Sequence, residues 1–141
     1  MATTLKEWIT SGIDDDGIDN TLDFGQKLAT MDKALTSSQI RNSFGEVRRI
    51  QQKVLLRDPK LPLDDASRTS LALLRPKLAY ATARSRTNVN DTTGAAALED
   101  KLTAALAYVR PQEQDGTRRF FNFCDYFEAI LAYHKKFGGK D

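Results

Sequence analysis

Cys124 and His134 are the only side chains in this sequence that could pair as thiol and imidazole, the arrangement in which a histidine takes the proton of a sulfur nucleophile. Their spacing defeats the pairing. Both fall in one run of helical apolar period and are ten residues apart, so they stand roughly 15 Å apart along its axis. Cys124 reads as a small core residue. His134, the sole histidine, has no local Cys or His companion to complete a zinc site. It reads as a packing or rim histidine near a helix C-terminus, with a phosphate or partner contact as its other reading. Asp14-Asp15-Asp16-Gly17 looks like part of a calcium loop. Setting Gly17 on that loop's glycine, however, places Gly12 at the first ligand position and Asp23 where a bidentate Glu belongs. The acids are better explained as the start of a helix, where the macrodipole favours negative charge. No phosphate-cradling glycine loop is present. These residues assign no catalytic group, no metal site and no cofactor.

The chemistry that the spacing does support is phosphate binding. Arg41, Arg48, Arg49 and Gln52 fall at i, i+7, i+8 and i+11, offset from an Ile40–Phe44–Val47 core face, and Lys53 extends the rim. Lys77 and Arg84 share a face at i, i+7, with Arg86 close behind. Arginine and lysine on rigid helices suit phosphate oxygens and give affinity without reading sequence. A solvated charged face is the alternative. Aromatic residues do not interleave with the stripe, which argues against a base-reading single-strand module.

Helices must position these groups. There is no sustained period-2 alternation and no Asn-Gly or Asp-Gly hairpin signal. Phe24, Leu28, Met31 and Leu35 recur at helical spacing behind the acidic lead-in. Thr36-Ser37-Ser38-Gln39 is a capping box, and the helix behind it is expected to run to about Asp58, where Asp58-Pro59 stops it. Asp64 or Asp65 caps a third helix through Leu71, Leu74, Leu78 and Ala81, and Pro76 inside it predicts a kink or two abutting helices. Asn88 through Gly94 reads as a loop. Leu98, Leu102, Ala105 and Val109 mark a fourth helix that Arg110-Pro111 ends. Thr117 is the expected cap of a fifth, striped by Phe120, Cys124, Phe127, Leu131 and His134, with Gly138-Gly139 as its C-cap. The expectation is all-α: a compact bundle of about five helices, one domain over residues 1–141, with residues 1–20 an acidic lead-in that can be flexible.

Composition agrees. Of 141 residues, 40% are hydrophobic and 28% charged, a globular mix. No uncharged stretch approaches the ~20 residues of a membrane helix, and Met1 to Ile9 lacks the apolar run of a secretory signal. A single cysteine fits a reducing cytoplasm. Net charge is only +2, but residues 1–30 carry −4, residues 31–90 carry +7 and residues 91–141 carry −1. That asymmetry points to a local polyanion-facing surface.

Three stretches resemble one known family. Leu35-Thr36-Ser37-Ser38-Gln39-Ile40-Arg41 is similar to the LTxSQIR opening of the small subunit of the type III-A CRISPR (Csm) interference complex. Leu74-Arg75-Pro76-Lys77-Leu78-Ala79-Tyr80, then Ala83-Arg84, resembles its central LxPKLAY…AR motif. Tyr126 to Lys135, leading to Gly138-Gly139, resembles its YFEAxxAYHK…G ending. The resemblance implies a five-helix, non-catalytic subunit that lies in adjacent copies as a minor filament beside the backbone and large subunits. There it lines the channel where target RNA pairs with the crRNA, in antiviral defence. Carried onto matching positions, it makes Arg41, Lys77, Arg84 and Lys135 RNA-contact candidates. Arg48, Arg49, Lys53 and Arg86 join them through the charge stripe alone. Tyr80, Phe127 and Tyr133 are expected in the core rather than as stacking platforms. The rival reading is a protein–protein adaptor whose basic face meets an acidic partner.

Overall fold

The computed structural model describes residues 3–139, and among these it contains six α-helices and no strand. They are α1 Leu5–Thr10, α2 Asp15–Thr30, α3 Ser37–Lys53, α4 Asp65–Ser85, α5 Gly94–Leu106 and α6 Gly116–Lys136. The all-α expectation holds, with one helix more than the periodicity announced. That helix, α1, is six residues long, too short for a repeating pattern, yet it buries Trp8 and Ile9.

Helix α6 is the axis of the bundle. Phe120, Phe123, Tyr126, Phe127 and Ile130 are fully buried along it, each worth about 2 kcal/mol of apolar burial. It packs against α1, α2, α3 and α5, while α4 closes the bundle against α3 and α5. Phe127 meets Phe44 of α3 edge-to-face at 5.2 Å between centroids, and Tyr126 stacks on Trp8 of α1 at 6.0 Å. Helix α2 approaches α6 at Gly25, where an added Cβ would lie 2.7 Å from Tyr133 Cβ and 2.9 Å from the His134 backbone nitrogen.

The caps explain most boundaries. Asp14 Oδ1 accepts from the Gly17 N–H at 3.0 Å, so the acidic run is the N-terminus of α2. The capping box of α3 forms in full: Thr36 Oγ1 accepts from the Gln39 N–H at 3.1 Å, and Gln39 Oε1 accepts from the Thr36 N–H at 2.8 Å. At the other end of α6, Gly138 at φ +86° lets its N–H reach the Lys135 carbonyl and the Gly139 N–H reach the His134 carbonyl, a Schellman motif.

Several sequence expectations are corrected. Helix α2 stops at Thr30, and Lys33 at φ +55° reverses the chain. Leu35 is therefore a buried loop residue whose N–H bonds the Leu28 carbonyl at 2.9 Å, not the last turn of α2. Helix α3 ends at Lys53, short of Asp58, because the chain turns with the Arg57 N–H on the Val54 carbonyl. Helix α4 is one element through Pro76, not two abutting helices. Helix α5 ends at Leu106, and Val109, although fully buried, lies in the turn beyond it. Asp115, not Thr117, is the N-cap of α6; Thr117 is buried inside the first turn with its hydroxyl unpartnered.

Candidate nucleic-acid interface

Helix α3 carries the basic residues because its core face is narrow. Ile40, Phe44, Val47 and Ile50 turn inward, which leaves both flanks and the crest polar. On the α6 flank lie Arg41 and Arg48. The Arg48 guanidinium is 3.9 Å from Glu128 and 5.8 Å from the Phe44 ring centroid. Arg41 donates to the Ser37 carbonyl at 3.3 Å and lines a groove of about 450 Å³ with Glu128, Leu131 and Lys135 of α6. On the opposite flank a groove of about 390 Å³ separates α3 from α4. Ser38, Gln39, Asn42, Ser43 and Glu46 form one wall, and Lys77 and Arg84 stand on the other. Arg49 sits on the crest between the two grooves, and Lys53 continues the α4 side into a hollow shared with Arg57 and Asp64.

The single basic face read from spacing is thus two rims with α3 between them. Seven of the eight predicted residues gather there: Arg41, Arg48, Arg49, Lys53, Lys77, Arg84 and Lys135. Arg86 does not. It donates to the Asp91 carbonyl at 3.1 Å and lines a separate hollow with Lys27 and Lys101.

Two residues that the sequence reading missed shape the site. Glu46 receives Lys77 Nζ at 2.9 Å and Arg49 Nη1 at 3.3 Å, so one carboxylate holds two of the candidate cations. The Lys77 hydrogen bond keeps that carboxyl below its ordinary value against the burial that raises it, and Arg49 adds to the lowering. The Glu46–Arg49 pair was legible as i, i+3 on one helix; the Lys77 pair needed the α3–α4 packing. Tyr80, expected in the core, is 67% exposed, and the Arg84 guanidinium lies 5.8 Å from its ring centroid. It points outward because Leu74 and Leu78 take the inner face of α4. Phe127 is buried as expected, and Tyr133 is half-buried.

The remaining chemical candidates are structural. Burial, with the charges of Asp125 and Glu128 adding, pushes the Cys124 thiol well above its ordinary value, so it stays a protonated core group. His134 is buried, with Nε2 2.6 Å from the Leu35 carbonyl, where it ties the end of α6 to the loop before α3. Among the described residues no group of three or more His, Cys, Asp or Glu is placed to hold a metal ion. No helix among them is long and apolar enough to cross a membrane.

Cations on two adjoining grooves of a helical scaffold can meet phosphates or an acidic surface. No curated protein and no solved structure matches the chain. The Csm2 Type III-A family matches residues 15–140 of the 141. With all but the first helix inside that match, the chain belongs to the Csm2 Type III-A family, the small subunit of the type III-A CRISPR Csm complex.

Proposed function

We propose that this subunit contacts the RNA backbone of the guide and target strands inside the Csm ribonucleoprotein, as one of several adjacent copies in its minor filament. It does so without chemistry of its own, in a cytoplasmic antiviral complex. The observation that carries the reading is the gathering of seven lysines and arginines along α3 and its two flanking grooves. Cations fixed on helices bind phosphate oxygens without sequence preference. With few contacts per copy, the isolated chain binds single-stranded RNA at micromolar or weaker affinity, and alignment of copies along a strand strengthens it. Arg86, which lies off this surface, is a peripheral member of the proposed set.

Replacing Arg41 and Lys77 by Glu tests the reading. RNA retention by the assembled complex falls, helicity is unchanged, and each lost phosphate contact lowers the slope in log salt by roughly 0.7. At ~0.15 M salt, where distant charge is screened, Lys6→Glu with Lys27→Glu, on α1 and α2, leaves RNA binding unaffected. The adaptor reading takes its support from Leu55 and Leu56, 61% and 99% exposed just past α3, where a neighbouring protein could cover them. It predicts that the Arg41/Lys77 double variant leaves the complex even without target RNA. Full stoichiometry with normal RNA affinity would reduce these cations to solvated surface charge.

A further inference from the structure

The outer face of α4 carries two large apolar side chains with no cover, Leu73 and Tyr80, which are 50% and 67% exposed. They differ in surroundings. Leu73 lies seven residues before Tyr80, roughly 10 Å along the axis, with Ala72 and Pro76 as exposed neighbours. Tyr80 does not itself line the α3–α4 groove, but it neighbours a residue that does. The Arg84 guanidinium that lies over its ring, 5.8 Å from the centroid, also lines that groove. Lys77, one turn before Tyr80, lines it too, facing Ser38, Asn42 and Ser43 across the gap.

We infer that Tyr80 and Arg84 form a stacking platform for one unpaired nucleobase of a single strand, whose adjoining phosphates run into the α3–α4 groove. The inference rests on the RNA reading and adds to it a contact with a base where that reading has only backbone. A flat exposed ring backed by a guanidinium offers a base a π surface and a cation together, and such stacking tolerates any base because every base has a π-face. The groove behind the ring supplies hydroxyl and amide donors to sugar or phosphate oxygens. An occupying protein helix would need anchors packed closely into one patch. Here Pro76 and Lys77 lie between the two large side chains in sequence, and a guanidinium, that of Arg84, lies over Tyr80.

The test uses the full chain and two fluorescent single-stranded RNA probes of equal length and charge, one intact and one carrying abasic ribose at every position of a central tract. Binding is followed by anisotropy at low salt, with circular dichroism as the check on folding. The wild-type chain binds the abasic probe about tenfold more weakly, the scale of one lost stack. Tyr80→Leu removes that difference by weakening the intact probe alone, and Tyr80→Phe keeps it. Equal binding of both probes by the wild-type chain overturns the platform while leaving the backbone reading in place. Failure to bind either probe overturns both. If Tyr80→Leu keeps the discrimination but drops the subunit from the assembled complex, the face belongs to a protein neighbour and the platform is wrong.

Discussion

Glu46 governs how much positive charge α3 and α4 can offer a phosphate. Its carboxylate receives both Lys77 and Arg49, at 2.9 and 3.3 Å, so either cation must leave an anion before it meets another. Glu46→Gln keeps the shape and removes the charge. The expected outcome is several-fold tighter RNA binding in low salt, with a log-salt slope steeper by up to about 1.4, two contacts at roughly 0.7 each. Titration of wild-type and variant chains against salt reads both quantities, and an unchanged slope would mean that neither cation faces RNA. The sign with pH follows from the depressed carboxyl. Glu46 stays charged until pH falls through that lowered value, so mild acidification to about pH 5 leaves the two pairs intact. At this scale the cations were legible by type and period, but their partners were not. Lys77 and Glu46 are 31 residues apart and meet only through helix packing. Tyr80 was misplaced because an aromatic beside apolar neighbours reads as core until the inward direction of α4 is known.

Two glycines separate packing from propensity at the level of elements. Gly25 is where α2 and α6 touch, and a Cβ there would meet Tyr133 Cβ at 2.7 Å and backbone atoms of His134 and Ile130 at 2.9 and 3.1 Å. Backbone cannot swing aside as a flexible side chain can, so the helices must part. Gly45 faces open space on the exposed side of α3, with nothing within 4 Å of an added Cβ. The same Gly→Ala change therefore has opposite signs. At Gly25 it costs about 1–3 kcal/mol by overpacking; at Gly45 it stabilises by about 0.5–1 kcal/mol through helix propensity. Urea titration of the two variants against wild type measures the contrast, and a neutral Gly25→Ala would show that α2 does not pack this tightly. Helices carrying both a cap and a long apolar stripe were legible to within a few residues, α3 at its start above all. The errors fell where short-range geometry overrides period: at α1, too short to show one, and at Leu35 and Val109, which keep helical spacing while sitting buried in turns. A buried loop residue and a helical core residue are alike in hydrophobicity, and only the backbone distinguishes them.

Across the whole molecule, charge is divided between two helices that pack on α6. Helix α6 packs against both α2 and α3, so at interaxial spacings of roughly 8–10 Å the acidic and basic helices stand up to about 16–20 Å apart. Asp15, Asp19 and Asp23 are exposed and recur every four residues along one face of α2. A polyanion approaching α3 feels this stripe only when ions do not screen it: the Debye length is about 30 Å at 0.01 M salt and about 8 Å at 0.15 M. Changing the three aspartates to asparagine raises the formal net charge from +2 by three without touching the core or the Asp14 cap. The expected result is several-fold faster RNA association at ~0.01 M salt, because the repulsive half of the field is gone. At ~0.15 M the difference disappears, because the separation then exceeds the screening length. Dissociation rates stay the same at both salts, since no contact with RNA has been added or lost. Stopped-flow association and dissociation at the two ionic strengths separate these effects. Acceleration that persists at 0.15 M, or slower dissociation, would place RNA directly on α2 and move the interface away from the two grooves of α3.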